Sequence, residues 1–228
     1  MDRIEIYTDG SSFISKDRQF YESSSAVVIF LNDECIYKCG CYHKDGTNSL
    51  GELYAMLLGL SKAKEIVEEN SFNDEPEVVV FADSDYVVKS LTSYIKGWAK
   101  QGLDKTWISY STKKEVAYQS IFKYLYATFL DKKKAPFKIK FYHINSHIPK
   151  SGLSKARYSF MKRNEEDITL EEFTKHSQRN DIVDVLAEKI RDEKIYYFEE
   201  GDDRWVRKRN ITTRDGMIVI RKRKTNKK

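Results

Sequence analysis

Four carboxylates stand in settings that could do chemistry together. Asp9 closes an alternating run in Ile4-Glu5-Ile6-Tyr7-Thr8-Asp9-Gly10-Ser11, and Glu52 opens a helical stretch in Gly51-Glu52-Leu53-Tyr54-Ala55. Asp83 ends a short apolar run in Val78-Val79-Val80-Phe81-Ala82-Asp83-Ser84, and Asp184 lies inside a late helical stretch in Asn180-Asp181-Ile182-Val183-Asp184-Val185-Leu186-Ala187. Acids drawn from two strand ends and two helices repel one another wherever they meet, unless cations offset the charge. Hard Mg²⁺ prefers carboxylate oxygens, with Mn²⁺ a possible substitute. The set therefore points to metal-assisted phosphoryl chemistry on a nucleic acid. Each acid also has a plainer reading. Asp9-Gly10 suits a turn, and Ser49-Leu50-Gly51-Glu52 suits a capping box with Glu52 at N3. Asp83 suits the turn into the next helix, and Asp184 suits a solvated face shared with Asp181 and Glu188. The chemical reading rests on all four occurring in order, with the right elements between them.

Those elements can be read from periodicity. Residues 3–9 alternate and predict a strand, 24–31 a second and 34–43 a third, with Asn32-Asp33 as a tight turn that makes the last two a hairpin. Leu53, Met56, Leu57, Leu60, Ala63 and Val67 share one helical face. Val78 to Ala82 is a continuous apolar run of the buried-strand type. Helices are predicted from about Ser84 to Tyr94 and over 114–130, and a further strand from Phe137 to Ile144. Thr169-Leu170-Glu171-Glu172-Phe173 reads as a helix start, and Asn180 to Arg191 as helix. The C-terminal part reads as strands at 195–198, 204–211 and 216–223. A hairpin followed by strand–helix alternation predicts an α/β fold with a mixed sheet covered by helices.

Composition narrows the function classes. With 228 residues the chain can bury a substantial core, and one domain is the natural expectation. No apolar run approaches the roughly 18 residues of a membrane helix, which argues against a membrane partner. Met1-Asp2-Arg3 leads straight into a strand pattern, so no signal peptide is expected, and a monomer acting in the cytoplasm is. Cys35, Cys39 and Cys41 would all point to one face of a strand and do not suit a disulfide. Zinc held by them and His43 would be strained, so reduced thiols are expected. The net charge is +5, and Arg204 to Lys228 is dense in Lys and Arg with Asp215 its one acid. Such a segment suits a phosphate backbone or a solubilising tail.

The four acidic motifs, taken in order, resemble those of type 1 ribonuclease H, the enzyme that cuts the RNA strand of RNA–DNA hybrids. The resemblance covers about residues 1–147 and 180–192. It is carried by Thr8-Asp9-Gly10-Ser11, by Thr47 to Ala55, by Ala82-Asp83-Ser84-Asp85-Tyr86-Val87 and by Asn180 to Ala187. Tyr94-Ile95-Lys96-Gly97-Trp98-Ala99-Lys100-Gln101-Gly102-Leu103 resembles the basic handle that grips the DNA strand in many members. Aromatic faces there would pack on sugar and base while Lys neutralises phosphate.

The resemblance implies a ribonuclease H-like fold: a five-stranded mixed sheet covered by helices on both faces, with the acids meeting at one edge. It implies two Mg²⁺ ions held by Asp9, Glu52, Asp83 and Asp184, and products with 5′-phosphate and 3′-hydroxyl ends. His147 matches a mobile-loop histidine that moves protons or assists product departure, whereas His143 is expected to be structural. Ser12, Asn48 and Ser49 match minor-groove contacts, Thr47 matches a DNA phosphate contact, and Tyr94, Trp98 and Lys100 belong to the handle.

The chain departs from the pattern in several places. Asp85 replaces a frequent glutamine. The segment Phe13 to Ser25 lacks the glycines usual there. An insertion spans 148–179, and a basic extension, expected as a β-hairpin, spans 193–228 and includes Trp205-Val206-Arg207-Lys208-Arg209. Two other readings compete with the nuclease: a non-cleaving hybrid- or duplex-binding module of the same fold, and a DNA resolvase.

Overall fold

The computed structural model describes residues 2–14, 21–201, 210–214 and 217–221, the last two ranges as backbone only. Strands β1 (Arg3–Ile14), β2 (Tyr21–Leu31) and β3 (Glu34–Lys44) form an antiparallel meander, turned at Asn32 and Asp33, whose φ angles are 47° and 74°. Short polar side chains tolerate that left-handed geometry, as the Asn-Asp signal requires. Strands β4 (Glu77–Ala82) and β5 (Ile139–His143) add in parallel, β4 beside β1 and β5 beside β4. The five expected strands are joined by a sixth, β6 (Phe198–Gly201), which pairs antiparallel with β3, giving the order β5-β4-β1-β2-β3-β6. Two further strands, β7 (Asn210–Arg214) and β8 (Met217–Arg221), form a separate antiparallel ladder. The Trp205 to Arg209 cluster, like residues 15–20 of the glycine-free segment, lies outside the described residues.

Both faces of the sheet are covered. On one lies α1 (Asn48–Glu69), whose Leu53, Met56 and Leu60 are fully buried against Ile4, Ile6 and Val27. Each such side chain contributes about 1.5–3 kcal/mol. The same face carries α2 (Asp85–Lys89), a π-helical turn at Ser90–Tyr94 and α3 (Ile95–Ala99), followed by α4 (Gln119–Leu125). The helix expected from 114 starts at Gln119, because Tyr118 sits in the left-handed region at φ 53°.

The other face carries α5 (Leu153–Asn164) and α6 (Leu170–Asp192), with Phe160, Phe173, Val183 and Ala187 packed on Tyr7, Val28 and Phe81. The inserted stretch is thus α5 plus the first turns of α6, which a Thr169–Glu172 capping box starts and which then runs unbroken to Asp192. A buried polar network holds α6 to the sheet. Arg179 pairs with Glu5 and Asp33, and the Tyr7 hydroxyl lies 2.6 Å from His176 Nδ1.

The cysteines are free. A register shift between Ile29 and Phe30 places Cys35 opposite Phe30, but Cys39 opposite Val27 and Cys41 opposite Ser25. This bulge turns Cys35 to the sheet face opposite the other two, so the expectation that all three share a face does not hold.

Candidate active site

Parallel pairing of β1 with β4 sets Tyr7 beside Phe81 and Thr8 beside Ala82. Asp9, within β1, and Asp83, just past the end of β4, come next, so the two carboxylates lie side by side. Gly10 is not a turn residue, since β1 continues through it. Its lack of a side chain lets α1 approach: a Cβ there would lie 2.2 Å from the Glu52 backbone nitrogen. That contact carries Glu52 to the two aspartates. One oxygen each from Asp9, Glu52 and Asp83 lies within 4.8 Å of the others. No other group of His, Cys, Asp or Glu among the described residues gathers three ligand atoms so closely, the Cys–His43 set included.

The crowding has electrostatic consequences. Asp9 is 4% exposed, and burial, then the charges of Asp83 and Asp184, push its carboxyl up to about 8. Burial, then Asp9 and Asp83, also raise Glu52 well above the usual carboxylate range. Asp83 Oδ1 is buried without a hydrogen-bond partner among the described residues. An orphaned acceptor between two buried acids is costly. A divalent cation satisfies all three at once, so the donor set fits a hard metal.

Asp184 stands outside that tight group, on α6, yet close enough to act on Asp9. Burial raises its own carboxyl, and His147 draws it back down. His147 Nε2 is 3.6 Å from Asp184 Oδ2 on a loop where His147 takes a left-handed φ of 52°. Three acids therefore converge, and the fourth flanks them with the histidine.

The remaining candidates fall around this centre. Thr47, not Ser49, is the N-cap of α1: its Oγ1 accepts from the Leu50 N–H and meets the Tyr118 hydroxyl at 2.7 Å. Glu52 is thus not an N3 capping residue, which corrects the capping-box expectation. Asn48 lies against Glu52, and Ser49 follows it on the first turn. Ser12 is half-buried near the end of β1, and its neighbour Ser11 accepts from Arg191 at 2.5 Å. In the segment expected as a handle, Tyr94 and Lys100 are exposed. Trp98 is not: it is 6% exposed, packed edge-on against Phe122 and near Trp107. The expected grip by its indole face is corrected to a core anchor that fixes the segment from below. Asp85 is held by Lys89 at 2.7 Å, so its charge is locally offset.

One cluster had no signal in the sequence. Arg163 Nη1 lies 2.5 Å from His143 Nδ1 and 3.9 Å from Asp85 Oδ1. The Asn164 side chain both accepts from the His143 N–H and donates to its carbonyl. His143 is thus structural, as expected, and clamps the end of α5 beside the acidic centre.

No match was found among curated proteins. Similar solved structures include a foamy viral protease–reverse transcriptase in complex with an RNA/DNA hybrid, 20% identical with a TM-score of 0.47 over 70% of this chain. The chain spans only 19% of that protein's length. LC11-RNase H1 in complex with an RNA/DNA hybrid is 21% identical with a TM-score of 0.42, over 63% of this chain and 86% of that one. That protein was isolated from compost by a metagenomic approach. LC9-RNase H1, a type 1 RNase H with the type 2 active-site motif, is 14% identical with a TM-score of 0.44, over 75% and 79%. The sequence pattern of the RNase H family matches residues 1–191, covering every element from β1 to α6 and all four acids, and the chain belongs to that family.

Proposed function

We propose that the protein is a divalent-metal-dependent endonuclease that hydrolyses the RNA strand of RNA–DNA hybrids, leaving 5′-phosphate and 3′-hydroxyl ends. The observation that carries this reading is the Asp9–Glu52–Asp83 group, with Asp9 and Glu52 buried and Asp83 half-buried, gathered where β1 and β4 run side by side, with family membership behind it. A module that only binds a polyanion gains nothing from concentrating buried carboxylates at its centre, where they repel phosphate.

Asp9, Glu52 and Asp83, with Asp184 completing the set, would hold two Mg²⁺ ions, which when bound activate water and stabilise the departing 3′-oxygen. The protein's own residues do the rest. Gly10 and Gly51 fix Glu52 against the strand end, so the ligand oxygens are pre-positioned. His147, exposed and within reach of Asp184, carries protons between the site and water or helps the product leave. Ser12, Asn48 and Ser49 sit at the two backbone segments that flank the acids, where hydroxyl and amide groups can read a minor groove. Thr47, whose hydroxyl meets Tyr118, would face a DNA phosphate. Tyr94 and Lys100 present an exposed ring and charge, with Trp98 fixing their backbone.

The test is cleavage of labelled RNA–DNA hybrid, duplex RNA, duplex DNA and a four-way junction, with Mg²⁺ or EDTA, beside an Asp9→Asn variant. Mg²⁺-dependent cutting of the RNA strand in the hybrid alone, lost in the variant, is expected. Binding without cutting would support the binding module, and junction cutting the resolvase. No helix among the described residues is long and apolar enough to cross a membrane.

A further inference from the structure

We propose that the inserted helix α5 is a second nucleic-acid contact surface, gripping the phosphate backbone of the substrate on the side of the active site opposite the handle. The inference rests on the nuclease reading above and names a substrate contact for that site.

Three observations carry it. The first is charge. Lys150 to Asn164 contains five basic residues and no acid. Of the three acids that follow, Glu166 accepts from the Tyr142 hydroxyl at 2.5 Å, while Glu165 and Asp167 are exposed, with Asp167 paired at 3.8 Å to Arg157 rather than to the lysines.

The second is the face. Lys155, Tyr158, Ser159, Lys162 and Arg163 follow the i, i+3, i+4, i+7, i+8 spacing and are all exposed, Tyr158 at 70%. The opposite face, with Phe160, is buried. Lys155 and Lys162 form no ion pair among the described residues. Lysine, arginine, serine and tyrosine are the donors that contact phosphate and sugar. Apart from Tyr158 the stripe carries no large apolar side chain, which argues against a protein partner. From Lys155 to Lys162 is about 10 Å along the helix axis, or roughly three phosphate steps of one strand.

The third is place. Arg163 is 3.9 Å from Asp85, two residues beyond Asp83, and is clamped to His143, the residue paired with Ala82. The stripe therefore starts at the rim of the acidic centre. Trp98, under the handle, packs in the core on the α1 side of the sheet, and Phe160 of α5 packs in the core on the α6 side. A duplex crossing the acids is thus bracketed by basic surfaces from both faces.

The experiment measures hybrid affinity by fluorescence anisotropy in an Asp9→Asn background with Mg²⁺, which leaves the hybrid uncut. The Lys155→Ala/Lys162→Ala variant is compared with Lys132→Ala/Lys133→Ala, which removes equal charge from an exposed turn before β5, at the far end of that strand from the site. Each lost phosphate contact lowers the slope of log K against log salt by about 0.9. The α5 variant should therefore lose about 1.8 from that slope and bind about 60-fold more weakly at 0.1 M salt. The turn variant should bind as the parent does. Lys155→Glu/Lys162→Glu should weaken binding further, and circular dichroism checks that each variant folds. Equal affinity and slope in parent and α5 variant overturn the inference, as does an equal loss in the turn variant. Wild-type cleavage is followed alongside. Absence of cutting or of parent binding sinks the nuclease reading and this inference with it, whereas cutting with unchanged α5 affinity sinks the inference alone.

Discussion

Replacing Asp9 by Asn should stabilise the metal-free protein while abolishing its activity. The two side chains are isosteric, so the change removes charge and little else. Ligand oxygens of Asp9, Glu52 and Asp83 lie within 4.8 Å of each other. At an effective dielectric of about 20, a fully ionised pair 4.8 Å apart costs about 3.5 kcal/mol, so two ionised partners would cost Asp9 about 7 kcal/mol or more. Proton uptake limits the cost. A carboxyl moved from its ordinary 3.8 to about 8 is protonated at neutral pH, at a cost of about 4 kcal/mol for the displacement from 3.8 to 7. The variant should therefore gain about 2–4 kcal/mol in EDTA, a rise of about 5–15 °C in Tm for a chain of this size. Mg²⁺ reverses the order, because a ligand that binds only the folded state adds stability by mass action and the variant has lost a ligand. Paired thermal melts in EDTA and in excess Mg²⁺ measure both effects. A variant that melts below wild type in EDTA by more than about 1 kcal/mol would refute the picture of three mutually repelling acids, two of them buried.

Other perturbations have equally definite outcomes. Gly10→Ala forces a Cβ into the backbone of Glu52, so α1 must shift; a loss of several kcal/mol and of cleavage is expected, read by urea denaturation and hybrid assay. Trp98→Ala should cost about 3–5 kcal/mol by leaving a cavity beside Phe122, whereas Tyr94→Ala should leave Tm nearly unchanged and raise KM. Burial holds the His176 imidazole down to about 4, so the unfolded chain binds its proton first. That contribution to stability is complete above pH 6.5 and is lost as the pH falls toward 4, by at most about 3 kcal/mol. His176→Phe should flatten the difference in that window, at the expense of one of the Tyr7 hydroxyl's two partners, and melts at pH 4.5 and 7 compare the two.

Much of the candidate site was legible in the sequence because it depends on local signals: an apolar run that ends before Asp83 and a helix start before Glu52, although the strand expected to end at Asp9 runs on to Ile14. What escaped depends on residues distant in sequence. Trp98 sits among Lys and Gly, and its burial is set by Trp107 and Phe122 folding over it. The stretch from Pro149 to Arg179 reads as polar because part of its buried face is polar. His176, Ser177, Arg179 and Asn180 are all buried, and His176 and Arg179 meet Tyr7 and Glu5 on β1, so hydrophobic periodicity could not reveal one continuous helix. Asp184 was placed correctly on its helix, but the spacing of motifs does not show that it flanks the other three rather than joining them.

The sixth strand has a consequence for handling the protein. Without Phe198–Gly201, β3 would present an open row of backbone donors and acceptors along Tyr37 to Gly40, and the Tyr37 hydroxyl would lose Glu199 as its acceptor at 2.6 Å. Unpaired edges of that kind recruit other chains. A version trimmed after Asp192 would keep every candidate metal ligand and still be prone to self-association, so the strand works as a guard against aggregation.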